Sequence, residues 1–415
     1  MLCSYSTSTR KHDIKKHLNN WFKRVHKAKG IQAKPVGSIK HAGNVDNKPV
    51  MAVIAETFKS VHAMYRWYAP MIKRLRRDYY LVMVSMKADV DDQSIGLFDE
   101  FIEVPEEEMN LQPVLNQCTP DIAWFMSVGM RSWGISLANL RWAPLQAMSF
   151  GHPASSFSSE MDVAFVTSRV FGGPGVVNEN MLILESEIGN VAEAHKDLKQ
   201  PPSPVLDDAV VSIAVPCNTM KINLGFITAL KEIERLSAKP LRFMFFPNEY
   251  GVGHLSTERR LLQYFPTAVV ARRTGYEAYL SLLNQNHLAL SPFPFGNATS
   301  TIDCMVLGLP VISLIGAEPH SRSDYDILAS LGLADYCVAE SVENYVHGVV
   351  RYINEPGLLE ELRNMVASKQ FMDLHQQNEN EFSDEMCKAL NWAYANQNEV
   401  HGPRGLVIEA QGRWK

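Results

Sequence analysis

The sequence lacks any apolar run of the roughly 20 residues that a membrane-spanning helix needs. Its basic N-terminus has neither the apolar core nor the small-residue cleavage site of a secretory signal. The six cysteines lie at positions 3, 118, 217, 304, 337 and 387, without the CxxC spacing of a metal site. This usage is typical of a reducing compartment. We therefore expect a cytoplasmic protein with no membrane span.

Strong net charge and the common nucleotide-binding signatures are also absent. The 415 residues carry a net charge of −5, which does not indicate a nucleic-acid partner or an anionic membrane. No GxxxxGK[ST] phosphate loop occurs, and no GxGxxG follows the first predicted strand. No clustered metal ligands are seen either, so we expect neither a metal nor a bound cofactor.

Positive charge is concentrated in the first fifty residues, which we interpret as a basic arm over residues 1–47. Its only acidic residues are Asp13 and Asp46. The pattern is compatible with a solvated, partly helical arm or with a docking surface for an acidic partner or a membrane. The lysines and arginines of the first fifty residues are Arg10, Lys11, Lys15, Lys16, Lys23, Arg24, Lys27, Lys29, Lys34, Lys40 and Lys48.

Apolar strand patterns alternate with amphipathic helix patterns through most of the remaining chain, which predicts α/β domains with parallel sheets. The prolines of QPPSPVLDD at 200–208 interrupt the alternation. We therefore predict two Rossmann-like, doubly wound domains over 48–200 and 208–385, and a helical tail over 386–415. Ligands of such sheets bind beyond the carboxyl ends of the strands, so polar side chains there are the candidate site.

One candidate turn is PCNTMKIN, which follows the strand VVSIAV. Thr219 and Lys221 surround a predicted helix start, where N–H groups and an ammonium favour an anion. A capped helix with an exposed lysine explains the same spacing, and the spacing alone favours that simpler interpretation.

Two further polar turns follow later strands of the second domain. In GNATSTID, the hydroxyls of Thr299 and Ser300 suit diphosphate oxygens, and Asp303 suits ribose hydroxyls. An ordinary N-cap is the alternative for these hydroxyls. In GAEPHSRSDY, the polar residues Glu318, His320, Arg322 and Asp324 come just past a strand. Three such turns in one sheet predict convergence on one ligand.

Two histidines follow strands of the first domain: His62 in SVHAMYR and His152 in MSFGHPASS. Imidazole suits general-base chemistry near neutral pH, although each histidine is equally well explained as a hydrogen-bonded structural residue. Two domains with a phosphate-type site in one and imidazoles in the other indicate metal-free group transfer from an activated nucleotide.

Five short motifs of the sequence resemble those of the bacterial cytoplasmic N-glycosyltransferases that modify high-molecular-weight adhesins. These enzymes belong to glycosyltransferase family 41, which also contains the O-GlcNAc transferase core. The motifs are HAMYR, PLQAMSFGHPASS, NTMKIN, SPFPFGNATSTID and GAEPHSRSDY, and they occur in the same order as in the family. The resemblance covers about residues 48–385. It implies a GT-B fold, in which two Rossmann-like domains face a cleft, and inverting, metal-independent transfer of a hexose from a UDP-sugar.

The resemblance also implies roles for the turns of the second domain. Lys221 is expected to contact the diphosphate and stabilise the departing UDP. Thr219 and Asn297 are expected to line the nucleotide site, and Asp303 to bind the ribose. Residues 298–300 are expected to hold the phosphates.

The remaining candidate residues surround the reaction centre by the same resemblance. Glu318, His320 and Asp324 are expected near the sugar and the nucleotide. His62 occupies the position proposed to act on the acceptor or the sugar, and His152 lines the same cleft. We assign His62, Lys221 and His152 as the catalytic candidates.

The implied reaction moves a hexose, glucose in the adhesin enzymes, to an asparagine of an adhesin-like protein. Two alternatives stay open. The acceptor is a Ser/Thr side chain or a glycan in one, and the protein is a non-catalytic nucleotide-sugar-binding partner of a larger complex in the other. The adhesin enzymes carry a large helical domain before their first Rossmann-like unit, where this sequence has the basic arm, so acceptor recognition is expected to differ.

Overall fold

The computed structural model describes residues 2–107, 110–186, 206, 209–369, 371–410 and 412–414. Its strands, in chain order, are β1 (Val50–Ile54), β2 (Tyr80–Ser85), β3 (Glu100–Glu103), β4 (Ile122–Phe125), β5 (Leu145–Ser149), β6 (Val163–Thr167), β7 (Asn180–Leu184), β8 (Val211–Val215), β9 (Leu241–Phe245), β10 (Val269–Val270), β11 (Leu288–Leu290), β12 (Val311–Leu314), β13 (Val338–Ala339) and β14 (Val407–Glu409).

The α-helices of the described residues connect and cover these strands. They are α1 (Asp13–Lys29), α2 (Ala63–Leu75), α3 (Asp92–Ile95), α4 (Gln112–Leu115), α5 (Ser132–Leu137), α6 (Leu224–Leu236), α7 (Gly251–Tyr264), α8 (Tyr276–Leu283), α9 (Thr299–Val306), α10 (Ser323–Ser330), α11 (Ala334–Cys337), α12 (Val342–Asn354), α13 (Leu358–Ala367), α14 (Phe371–Ala395) and α15 (Gln397–Val400).

The strands form two parallel sheets, one in each half of the chain. The first has the order β14-β7-β6-β5-β4-β1-β2-β3, and the second has the order β10-β9-β8-β11-β12-β13. Their central strands are apolar and buried on both faces, as expected where helices cover both sides of a parallel sheet. This arrangement confirms the predicted pair of doubly wound domains facing a cleft, the GT-B fold.

The last part of the chain returns to the first domain. Helix α14 packs against α2 and β7, and the hydroxyl of Tyr79 donates to Asn391 Oδ1 at 2.5 Å. The tail predicted as helical over 386–415 also supplies β14, which pairs with β7. The sequence pattern did not predict β7 or β14. The predicted boundary at 200–208 lies outside the described residues, apart from Leu206.

The basic arm forms helix α1, which docks on the first domain. Phe22 and His26 are buried, and His26 Nε2 lies 2.8 Å from the hydroxyl oxygen of Ser136. Lys23 pairs with Glu160 at 2.9 Å. The arm therefore folds onto its own chain at these residues, which neither of the two interpretations of its charge anticipated.

Within the described part of the chain, no helix combines the length and the apolar character needed to cross a bilayer.

The return of α14 to the first domain predicts that its buried face stabilises that domain. Leu390 is completely buried in a cluster that includes residues of β1 and α2. We expect Leu390→Ala to lower the free energy of unfolding by about 2–5 kcal/mol, because it removes buried methyl groups and leaves a cavity. Urea denaturation measures the difference. Lys388→Ala, an exposed position on the same helix, is the matched control, and equal effects of the two substitutions would contradict the packing of α14.

Candidate active site

A cavity of about 340 Å³ lies in the cleft, at the carboxyl ends of strands from both sheets. The loops and helices that follow β1, β5, β8, β11 and β12 supply much of its wall. Long-range packing thus brings together turns that are far apart in sequence. The sequence-predicted site residues that line the cavity are His62, His152, Lys221, Asn297, Thr299 and His320.

Lys221 supplies the cation of this cavity. It ends a short 3₁₀ turn, Thr219–Lys221, directly before α6. Its Nζ donates to the carbonyl oxygen of Gly296 at 2.5 Å and lies 5.1 Å from the centre of the Phe295 ring. Burial lowers the pKa of the Lys221 ammonium below its usual value, because desolvation penalises its charge. An anion in the cavity would relieve that penalty.

Asn297 presents an unpaired amide to the cavity. The residue is 6% exposed, and neither Nδ2 nor Oδ1 has a hydrogen-bond partner among the residues that the structure describes. Thr219 Oγ1 is buried and unpaired in the same sense, although Thr219 is not among the residues that line the cavity. Leaving buried polar atoms unpaired costs about 1–3 kcal/mol each, so such atoms in a cavity wall indicate a ligand that completes their hydrogen bonds.

Asp324 holds the turn that carries Asn297. Its carboxylate accepts hydrogen bonds from the N–H groups of Asn297 at 2.9 Å and Ala298 at 2.7 Å. It also accepts from the hydroxyls of Ser291 at 2.5 Å and Thr301 at 2.7 Å. Four donors occupy its oxygens, and Asp324 does not line the cavity. Its position therefore supports the turn from behind.

Glycine is required at position 296 because the backbone there passes close to the carboxylate of Asp324. A Cβ atom built on Gly296 would lie 2.4 Å from Asp324 Oδ2, well inside van der Waals contact. Only glycine lets the backbone pass the carboxylate at this point.

His62 caps α2 at the mouth of the cavity. Its Nδ1 accepts the N–H of Met64 at 3.2 Å, which places the hydrogen of the neutral ring on Nε2. Desolvation in the cleft, together with the charge of Arg66, lowers the pKa of His62. The neutral ring thus offers a hydrogen-bond donor to a ligand.

His152 and His320 approach Phe295 from the two domains. The ring centres of His152 and His320 lie 5.6 Å and 4.9 Å from that of Phe295, in stacked orientations. Burial lowers the pKa of His152 well below its usual value and that of His320 to about 4, so both rings are neutral at neutral pH. His320 Nδ1 donates to the carbonyl oxygen of Pro153 at 3.2 Å, which ties the two domains together.

The remaining predicted residues stand outside the cavity wall. The carboxylate of Asp303 accepts the hydroxyl of Tyr276 at 2.5 Å. Glu318 pairs with Lys11 of the arm at 3.0 Å. Ser300 lies one residue into α9, behind Thr299. Direct contact of these residues with a ligand stays a prediction.

The sequence patterns missed two kinds of residue at the site. Trp67 and Tyr5 line the cavity, and the indole N–H of Trp67 donates to Thr299 Oγ1 across the cleft at 3.4 Å. Two buried carboxylates, Glu56 and Glu179, hold loops beside the cavity. The one available signal was Glu56, a charged residue at the end of the apolar strand PVMAVIAE.

Glu56 gathers the loop that follows β4. It accepts the hydroxyl of Ser127 at 2.7 Å and the N–H groups of Gly129, Met130 and Arg131 at 3.0, 3.0 and 3.1 Å. Burial raises the pKa of Glu56, although these four donors oppose that shift. Met130 reaches the cavity wall from this loop.

Glu179 does the same for the loop that follows His152. It accepts the hydroxyl of Ser155 at 2.7 Å, the N–H of Ser156 at 2.7 Å and the N–H of Phe157 at 3.2 Å. Carboxylates in these positions satisfy N–H groups that irregular backbone would otherwise leave unpaired.

The cavity wall combines an ammonium, an unpaired amide, a threonine hydroxyl and neutral imidazoles. Such a set suits an anionic ligand with polar substituents, whose charge the lysine balances. Among the residues that the structure describes, no group of three or more His, Cys, Asp or Glu side chains is placed to hold a metal ion.

Comparisons with known proteins place this site in context. No protein-family model matches the chain. Two UDP-glucose:protein N-β-glucosyltransferases of Actinobacillus pleuropneumoniae, from serotypes 5b and 7, are each 32% identical over 360 residues. The match covers 85% of this chain, and the chain spans 57% of the length of these curated relatives.

A solved structure shares the fold. A variant of the O-GlcNAc transferase of Thermobaculum terrenum superposes with a TM-score of 0.74 and 17% identity. The superposition covers 96% of this chain and 76% of that one. The common architecture therefore extends over both domains.

The hydrogen bonds of Asp324 predict that it stabilises the turn of Asn297. We expect Asp324→Ala to lower the free energy of unfolding by about 3–5 kcal/mol, because several buried donors lose their acceptor at once. Urea denaturation with far-UV circular dichroism measures the change. Asp335→Ala removes an exposed carboxylate nearby and is expected to cost no more than about 0.5 kcal/mol. A loss of that small size in Asp324→Ala would contradict the supporting role.

Proposed function

The chain is a homologue of the UDP-glucose:protein N-β-glucosyltransferases, and on that premise we propose that it transfers a hexose from a UDP-sugar to a protein side chain. The proposed donor is UDP-glucose and the proposed acceptor is an asparagine, as the names of the relatives indicate. The observation that carries the proposal is the presence of Lys221 and the unpaired amide of Asn297 in the wall of one cavity.

The donor diphosphate is proposed to lie against Lys221 and the N-terminus of α9. The ammonium supplies a fixed positive charge, and Thr299, the first residue of the eight-residue helix, lines the cavity, so the helix N-terminus there favours an anion. The Asn297 amide and the Thr219 hydroxyl complete their hydrogen bonds with the nucleotide in this arrangement. Asp303 remains the proposed partner of the ribose.

The reaction we propose is a single inverting displacement. The bond from sugar C1 to the β-phosphate oxygen breaks, and a bond from C1 to the acceptor nitrogen forms on the opposite face. UDP leaves with the electron pair of the broken bond, and the acceptor loses one proton. Lys221 favours the transition state over the ground state, because negative charge on the diphosphate grows as the bond breaks. The positive charge comes from the lysine in this scheme, which is why we propose that no metal is needed.

The two first-domain histidines are proposed to have different roles. His62 carries its hydrogen on Nε2 and is suited to donate to a sugar hydroxyl or a phosphate oxygen. His152 is neutral and buried, so it can accept a hydrogen bond or a proton from the acceptor side chain. The lowered pKa of His152 keeps its lone pair available at neutral pH.

We also propose a reducing compartment, the cytoplasm, as the site of action. All six cysteines are free thiols, and five of them are buried. Thiols held apart in this way are typical of proteins that are not exposed to an oxidising environment.

One experiment tests the proposal directly. The protein is incubated with UDP-glucose and a peptide that contains Asn-X-Ser/Thr, and UDP release and intact peptide mass are followed with and without EDTA. Addition of one hexose mass in both conditions supports the proposal. UDP release only with a Ser/Thr or glycan acceptor would reassign the acceptor. Tight UDP binding without turnover on any acceptor would contradict catalysis.

Lys221 gives the sharpest mutational test. We expect Lys221→Ala to fold normally but to lose about 10² to 10³ in kcat, because one fixed donor to the developing charge is removed. Single-turnover assays at saturating UDP-glucose measure the loss. Lys239→Ala, an exposed lysine of the same domain, is the control and is expected to keep full activity. Near-normal turnover in Lys221→Ala would reject the assignment.

The lowered pKa of His152 predicts the acid side of the pH–rate profile. A histidine acts as an acceptor only when it is unprotonated, and burial moves its protonation well below the usual pKa of 6.5. We expect kcat/KM to hold its value as pH falls through 6.5 and to decline only at clearly lower pH. Initial rates across a constant-ionic-strength buffer series measure the profile. A half-maximal point at or above pH 6.5, or an unchanged acid limb in His152→Gln, would exclude His152 as that acceptor.

A further inference from the structure

The first residues of the basic arm lie inside the cleft. Leu2–Tyr5 form a short 3₁₀ turn, and Ser4 is completely buried. Ser4 Oγ lies 3.2 Å from His152 Nε2. The ring of Tyr5 stacks on Phe295 with 4.4 Å between centres and forms part of the cavity wall. A segment of the chain therefore touches a candidate catalytic histidine.

A second set of contacts holds the arm against the turn that follows β12. Lys11 Nζ lies 3.0 Å from Glu318 Oε2 and 3.3 Å from His320 Nε2, and His12 Nε2 lies 3.2 Å from Glu318. Burial alone would raise the pKa of Glu318, but the hydrogen bonds from His12 and Lys11 and the charge of Lys11 lower it below its usual value. The ionised carboxylate thus attracts the arm to the second domain.

The arm is anchored beyond these contacts by α1. Asn19 is buried and donates to the carbonyl oxygen of Ser156 at 3.1 Å, and Phe22 is 2% exposed. Residues 6–10, which join the contacts of Ser4 and Tyr5 to those of Lys11 and His12, are exposed. Residues 2–12 can therefore leave the cleft while α1 keeps its place on the first domain.

The arm covers one side of the reaction centre and leaves the other open. The open cavity retains Lys221, Asn297 and Thr299, the groups proposed to hold the donor. The side chains of the arm meet His152 and His320, while the turn Leu2–Tyr5 also packs near the turn Thr219–Lys221. The hydroxyl of Ser4 stands where a nucleophilic side chain would meet His152, so the covered side is the acceptor side.

We propose that the surface beneath residues 2–12 is the acceptor-binding surface, and that the arm occupies it as an internal competitor which the acceptor polypeptide displaces. The inference rests on the proposed function for the identity of the competing ligand. The fitting partner is an extended polypeptide that offers what the arm offers. Such a polypeptide places a small polar side chain at His152, an aromatic ring on Phe295 and a cation at Glu318, as the arm does.

The test uses a double variant, Tyr5→Ala/Lys11→Ala, which removes the stacking and the ion pair. Lys27→Ala, an exposed lysine of α1, is the control that removes the same charge from the arm. Hydrogen exchange of residues 2–12 is expected to accelerate in the double variant and to stay unchanged in the control. Unchanged exchange in the double variant would overturn the proposal, because these contacts would not hold the segment.

A binding measurement then tests the surface without relying on catalysis. A fluorescent synthetic peptide of residues 2–12 is titrated into the double variant and the unsubstituted protein in reducing buffer. We expect binding at least about tenfold tighter to the double variant, because the unsubstituted protein must first release its own arm. Equal affinity for the two proteins would overturn the proposal.

Kinetics separate this inference from the proposed function. The acceptor-peptide KM is expected to fall about tenfold in the double variant, by more than any change in the donor KM. The arm peptide is expected to inhibit competitively with the acceptor. Competition with UDP-glucose instead would overturn the acceptor-side assignment. Arm-peptide binding without transfer to any acceptor would reject the proposed function while leaving a peptide-binding surface in place.

Discussion

The cleft depends on buried carboxylates that gather the backbone N–H groups of its loops. Chain that leaves a parallel strand and turns into a helix carries N–H groups without partners, and burying them unpaired is costly. Each such loop has one buried carboxylate that accepts several of its hydrogen bonds. These carboxylates belong to Glu56, Glu179 and Asp324. The turns around the cavity are therefore held in place before any ligand arrives.

This use of charge leaves a distinctive electrostatic balance at the cavity. The negative charges of the three carboxylates are committed to N–H and hydroxyl donors behind the wall. Burial keeps His152 and His320 neutral. Among the predicted site residues that line the cavity, Lys221 therefore carries the positive charge. In the proposed reaction, the departing diphosphate gains negative charge beside a fixed positive group and polar donors. Such preorganisation suits the proposed inverting transfer, since no charged group has to move into place during the reaction.

The two domains meet through hydrogen bonds across the cleft and through the arm. Trp67 donates to Thr299, and His320 donates to Pro153, so each domain contributes a hydrogen bond across the cleft. The arm adds a third connection, because α1 is fixed to the first domain while Lys11 pairs with Glu318 of the second. Release of the arm would therefore change how firmly the domains are tied as well as what fills the cleft.

The sequence by itself determined the alternation of strands and helices, the two-domain fold and the polar turns at strand ends. These features follow from local hydrophobic periodicity and from turn chemistry, which neighbouring residues specify. Lys221 and Asn297 were identified from the sequence motifs that contain them, and both residues line the cavity. The short strands β7 and β14 escaped prediction, since β14 gains its partner more than two hundred residues away in sequence.

Only the tertiary structure decided which side chains face the cavity and which support it. Asp324 and Glu318 lie in the same sequence motif as His320. Asp324 nevertheless accepts hydrogen bonds from the turn of Asn297, and Glu318 forms an ion pair with the arm. A short motif does not determine which donors a carboxylate binds, because tertiary packing decides which donors lie within hydrogen-bond distance. The same holds for Ser4, whose contact with His152 spans 148 positions of the chain and forms only when the chain is folded.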